Sequence, residues 1–102
     1  MTYSDLLRRY GDSPREIRTV PVTDRRPVWF RVYASRGSVC ISSGKDHPDS
    51  SSICPDRRLK PDEFAFMLDL YLRRKKGEPV SGEAARSVNQ SYWYGIFHDM
   101  DL

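Results

Sequence analysis

The segment Tyr92-Trp93-Tyr94-Gly95-Ile96-Phe97-His98 limits this chain more than any other stretch. So dense a block of rings and bulky apolar groups must be buried in a core, buried against a partner, or used to stack on a ligand. Three local structures are compatible with it. In a helix running on from Ser81, the residues Ala85, Val88, Tyr92 and Ile96 fall on one stripe, with Trp93 and Phe97 beside it. As a strand, Tyr92 to Phe97 is rich in β-formers. In a helix-turn-helix, Ser81–Val88 precede a recognition helix over Tyr92–Met100. That last arrangement lacks a turn glycine, puts Gln90 at a usually apolar position, and offers Tyr, Trp and Phe where Arg, Asn or Gln read base edges. The helix is the expected form.

The preceding helix is well marked, over about 61–76. Pro61 suits the first helical position, and Asp62 and Glu63 complement the positive helix end. Arg73-Arg74-Lys75-Lys76 complement the negative end, and Gly77 and Pro79 stop the helix. Phe64, Met67, Leu68, Tyr71 and Leu72 form its apolar stripe. Phe66 and Leu70 widen the arc to roughly 240°, well beyond what one buried face needs. Asp62, Ala65, Asp69 and Arg73 form the solvated strip. Such a helix is either central in the fold or in contact with two partners, and a second copy of the chain is one candidate.

The strongest strand spans Val28 to Ala34. Val28, Phe30, Val32 and Ala34 share one face, and Trp29, Arg31 and Tyr33 share the other. Ser35-Arg36-Gly37 turns it into Ser38–Ser42, a second strand. Ile17 to Thr23 contains Pro21 and reads as an edge strand at best. Ser4 to Gly11 reads as a short helix capped by Ser4. Residues 43–58 read as a long polar loop, a kind often functional or mobile. The expected architecture is therefore a single α+β domain over 1–102. It has an antiparallel three- or four-stranded sheet packed by the long helix and a C-terminal helical segment, with a short N-terminal helix.

At 102 residues the chain is near the commonest domain size. Its 12% aromatic content argues against disorder. No apolar run approaches the roughly 18 residues of a membrane span, and no signal-peptide pattern opens the chain. The expected location is cytoplasmic, with Cys40 and Cys54 as reduced thiols unless the chain is exported by another route. The net charge is +3, unevenly spread: residues 1–60 hold 12 Lys/Arg against 7 Asp/Glu, and residues 61–102 hold 5 against 7. The basic half could meet the acidic half, another subunit, or nucleic acid.

No catalytic, cofactor or metal signature emerges. Cys40, His47, Cys54 and His98 have ligand chemistry without a usual zinc spacing. Gly44-Lys45 lacks the glycine and Ser/Thr of a phosphate loop. Asp46-His47 among serines has the residue types of nucleophile activation but lies in a polar loop. In size and style the chain looks like the small products carried by phage and mobile elements, with no motif behind the likeness.

Two functional expectations follow. The first is a small non-enzymatic protein-interaction domain acting as a homodimer, its interface formed by Phe66, Leu70, Trp93, Tyr94 and Phe97. The second is a nucleic-acid-binding domain with a basic surface around the hairpin, using Arg25, Arg26, Arg57, Arg58, Arg73, Arg74, Lys75 and Lys76. Trp29, Arg31 and Tyr33 resemble an RNA-stacking platform in residue type, although a helix or subunit covering that face is the commoner use. No cofactor is expected in either case.

Overall fold

The computed structural model describes residues 1–21 and 25–102. In chain order the elements are α1 (Tyr3–Asp12), β1 (Arg15–Arg18), β2 (Trp29–Ser35), β3 (Ser38–Ser43), β4 (Arg57–Leu59), α2 (Pro61–Lys75), α3 (Ser81–Ala84) and α4 (Gln90–Asp99). The four strands form one open antiparallel sheet in the order β1-β2-β3-β4. This is the expected α+β class, with the four-strand alternative realised.

The β2–β3 turn follows directly from its residues. Ser35 pairs with Ser38, and Arg36 and Gly37 take φ values of 51° and 75°. Positive φ at both central residues is the type I′ geometry whose twist matches that of the flanking strands. The edge strand β1 begins two residues before Ile17, the expected start, and ends at Arg18. Part of the expected 17–23 strand, Val22 to Thr23, lies outside the described residues. The end of the expected 43–58 loop is ordered as β4, where Leu59 pairs with Val39.

Alternation divides the sheet into two faces. Ile17, Phe30, Val32, Val39, Ile41 and Leu59 point to the core and are buried. Helices α1 and α4 lie on this face. Tyr3 of α1 accepts the Val39 N–H at its hydroxyl and donates to the Leu59 carbonyl. Tyr92 of α4 sets its ring edge-on to Phe30 at 4.9 Å. Helix α2 packs on α4 through Phe64, which meets Trp93 at 6.0 Å and Phe97 at 5.8 Å between ring centres.

Three local expectations are corrected. Helix α1 starts earlier, with Thr2 as the cap: its N–H donates to the Asp5 carboxylate at 2.7 Å. The C-terminal block is helical, but not continuous from Ser81. The helix stops after Ala84 and restarts at Gln90, so Val88 leaves the expected buried stripe and is 84% exposed. The break occurs where Ser87 and Asn89 turn inward. The Ser87 hydroxyl donates to Glu63 at 2.5 Å and accepts the Asn89 N–H at 3.1 Å. Polar side chains that bond the backbone locally compete with helix continuation. Finally, α2 buries a single stripe of Phe64, Met67, Leu70 and Tyr71, leaving Phe66 and Leu68 half-buried and Leu72 42% exposed.

Candidate nucleic-acid interface

Among the described residues, no helix packs on the second face of the sheet. Strand register arranges it in three rungs: Arg18 beside Trp29, then Glu16–Arg31–Ser42, then Tyr33–Cys40–Arg58. Every side chain here is on this face because its strand neighbours point into the core.

Glu16 organises the first two rungs. Its carboxylate accepts the backbone N–H of Lys45 at 2.8 Å, that of Asp46 at 3.0 Å, and His47 Nδ1–H at 2.9 Å. The side chain is only 7% exposed. The His47 hydrogen bond, followed by the Lys45 N–H, pulls its carboxyl from the usual 4.5 to about 2. An ionised carboxylate can only accept, so the proton of this bond sits on Nδ1 and leaves Nε2 to solvent or ligand.

The loop beyond Glu16 is tied down as well. The His47 ring stacks on Trp29 at 3.5 Å and 6° between planes. Trp29 N–H donates to the Asp49 carbonyl at 2.7 Å, and Ser51 N–H donates to the Trp29 carbonyl at 2.8 Å. Gly44 permits this close return, since a Cβ there would stand 2.7 Å from Ser50 Oγ and 2.9 Å from the Trp29 carbonyl oxygen. The Ser50 hydroxyl donates to the His47 backbone carbonyl at 2.6 Å, so it is directed away from the imidazole.

Two of the arginines of this face, Arg18 and Arg31, rest on its aromatic rings. Arg18 lies 5.5 Å from the Trp29 ring centre and Arg31 lies 5.0 Å from that of Tyr33. Tyr33 donates its hydroxyl to Asp56 at 2.5 Å, a bond that pushes the phenol up to about 12. Among the described residues, Arg18, Arg31 and Arg58 have no carboxylate within ion-pair distance. The stretch between β3 and the end of the long loop is concave, lined by Arg31, Ser42, Lys45, Cys54 and Asp56 among others.

The sheet edges are not available in the same way. Thr19 N–H donates to Val28 at 2.9 Å, so alternation turns the Arg18 carbonyl outward from β1. There it meets α4, where a Cβ on Gly95 would be 2.5 Å from that oxygen. At the opposite edge Tyr3 holds the Leu59 carbonyl.

The basic residues expected at a nucleic-acid site are spread over different surfaces. Arg58 is on the helix-free face. Arg57 points to the other side, donating to Asn89 Oδ1 at 3.0 Å, and lies over Tyr92. Arg25 and Arg26 are exposed, the latter 3.0 Å from Asp49. Arg73 is engaged by Asp69, Glu78 and Glu83, Arg74 by the Pro21 carbonyl and the Tyr94 ring, and Lys75 by the Tyr71 ring. Lys76 is exposed at the end of α2.

Of the expected interface residues, Leu70, Trp93, Tyr94 and Phe97 are fully buried inside the protomer. They have no surface to offer a partner. Only Phe66 retains some, beneath the Arg86 guanidinium at 4.9 Å. The same burial takes a reading face away from α4. Cys40 and Cys54 are free thiols, and burial raises the pKa of Cys40. Among the described residues, no three His, Cys, Asp or Glu side chains converge as metal ligands. Among the same residues no helix is long and apolar enough to cross a membrane.

Sequence reasoning singled out Trp29, Arg31 and Tyr33 but missed Glu16, Arg18 and the His47 stack. A period-2 reading of residues 15–18 with Glu16 and Arg18 on one side was the available signal, and four residues are too short a stretch for it to stand out. No protein-family model, no curated protein and no solved structure matches this chain.

Proposed function

We propose that this protein is a non-enzymatic nucleic-acid-binding domain that works through the helix-free face of its sheet. One observation carries the reading: among the described residues each rung of that face presents an arginine without a carboxylate partner, Arg18, Arg31 and Arg58 in turn, the first two lying over the rings of Trp29 and Tyr33. Unpaired guanidiniums held against rings are suited to phosphate contacts, because little side-chain freedom remains to be lost on binding. The basic helix end at 73–76 contributes less, since Arg73 and Arg74 are already engaged.

Fluorescence polarisation with labelled 20-mer DNA and RNA at about 50 mM salt tests this. Binding should weaken with salt and drop about tenfold for Arg31→Glu or Arg58→Glu, a charge reversal worth about 1.4 kcal/mol. Lys75→Glu with Lys76→Glu should change it far less. Absence of binding at low salt, or equal losses in both sets, refutes the reading.

A second reading, self-association, is favoured by Leu68 and Leu72, adjacent on the outer side of α2 with Leu72 exposed. It ranks lower because two leucines make a small part of the roughly 800 Å² per partner that stable interfaces bury.

A further inference from the structure

Resting on the nucleic-acid reading above, we infer that the ligand is a single strand, laid diagonally across the sheet from Arg18 to Arg58 with bases stacked on Tyr33 and on the outer face of His47. Sheet geometry sets the path. Arg31 is one strand over and two residues along from Arg18, and Arg58 is two strands over and two residues along from Arg31. With strands about 4.8 Å apart and about 3.4 Å rise per residue, the Cα steps are about 8 and about 12 Å. Two arginine side chains can span either step along one extended sugar–phosphate chain.

The shape of the fold argues against a duplex. Reading a duplex from its major groove takes a helix or a protruding two-stranded ribbon. Here the helices that touch the sheet lie behind it, α4 is buried through Trp93, Tyr94, Gly95, Ile96 and Phe97, and the β2–β3 hairpin sits in mid-sheet with a two-residue turn. A duplex would also hide its bases from the rings on the rungs. An unpaired strand can turn its bases toward them.

The rings differ in what they can take. Trp29 already has His47 stacked at 3.5 Å and Arg18 over it, so it serves as a seat for both. His47 keeps 35% of its side chain exposed and extends that stack outward by one plane. Glu16 fixes the orientation of the imidazole through Nδ1, as a stacking platform requires. Tyr33 is held by Asp56 and carries Arg31 against its ring, so phosphate and base contacts fall side by side on adjacent rungs.

Competition between a 20-mer single strand and the blunt duplex of the same sequence, with RNA and DNA arms, tests the inference on the intact chain. The single strand should bind at least about tenfold more tightly, with a log–log salt slope near −2 for three phosphate contacts at about −0.7 each. Arg31→Gln should reduce the slope by about 0.7. Tyr33→Leu should weaken strand binding severalfold and leave the slope unchanged, because stacking releases no counterions. Should Tyr33→Leu fail to fold, His47→Ala at low salt supplies the same comparison, and the Arg31→Gln slope stands independently. Equal or tighter binding of duplex overturns the single-strand inference while leaving the nucleic-acid reading in place. Absence of binding to either form overturns both.

Discussion

Glu16 and Arg31 face each other directly across the β1–β2 ladder, yet they form no ion pair. The carboxylate goes instead to Lys45 N–H, Asp46 N–H and His47, three donors supplied by one loop. Three short hydrogen bonds to a nearly buried carboxylate outweigh one exposed cross-strand pair, which is worth about 0.2–1 kcal/mol. The consequence is an arginine left free on the sheet face, lying on Tyr33. The structural role of Glu16 and the binding role proposed for Arg31 are therefore two results of the same competition.

Glu16→Gln should loosen the loop over 44–51 and cost about 2 kcal/mol, the scale of a hydrogen bond to a charged group. The variant should also lose part of the acid sensitivity. The folded carboxyl titrates at about 2 against 4.5 ordinarily, so its contribution is complete above 4.5 and disappears as pH falls toward 2. Urea unfolding across pH 2.5 to 7 should show a shallower decline for the variant than for the parent chain.

Gly95→Ala should destabilise by about 2 kcal/mol, because the added methyl would be 2.5 Å from the Arg18 carbonyl oxygen and 3.2 Å from Thr19 Cα. The near atoms are all backbone of Arg18 and Thr19, which cannot swing aside as a flexible side chain would. Gly82→Ala meets nothing within 4 Å and should change stability by less than about 0.5 kcal/mol. Thermal melts of the two variants make the comparison directly.

Glu63 joins α2 to the C-terminal block by accepting from Trp93 Nε1 at 2.6 Å and from Ser87 Oγ at 2.5 Å. Glu63→Ala leaves the buried indole without its acceptor and should cost about 1–3 kcal/mol. Glu63→Gln, which keeps an acceptor oxygen, should cost less. Chemical denaturation gives the ranking, and a changed near-ultraviolet signal from Trp93 should accompany the alanine variant.

Phe97→Ala should cost about 3–5 kcal/mol, since the ring is fully buried against Phe64, Tyr71 and Trp93. That is a large part of the 5–15 kcal/mol typical of a domain. Leu72→Ala should cost about 0.5 kcal/mol or less. If sedimentation shows a self-associating parent chain, Leu72→Ala is the substitution expected to weaken the association.

Sequence patterns were most informative where partners are close along the chain. Pro61 opens α2, Arg36-Gly37 makes the hairpin turn, and Phe30 and Val32 share by alternation the face that the structure buries. The same reasoning misplaced Val88, because helical spacing continued through it while Ser87 and Asn89 ended the helix with bonds of their own. It also drew Leu70, Trp93, Tyr94 and Phe97 toward a subunit interface. An apolar arc shows how much surface must be covered and is silent about what covers it.

The amino-acid sequence alone determined the class of the fold, an antiparallel sheet with a long helix opened by Pro61 and a helical aromatic ending. These depend on period, turn chemistry and caps, which act over a few residues. Tertiary structure decided which sheet face the helices cover, that α4 closes over α2 and Phe30, and that Glu16 serves a loop some thirty positions away. Those outcomes are competitions between groups remote in sequence, settled by distance, burial and the number of donors that reach one acceptor. The aromatic block that required burial obtained it within its own chain, and the arginines left over on the opposite face became the candidate site.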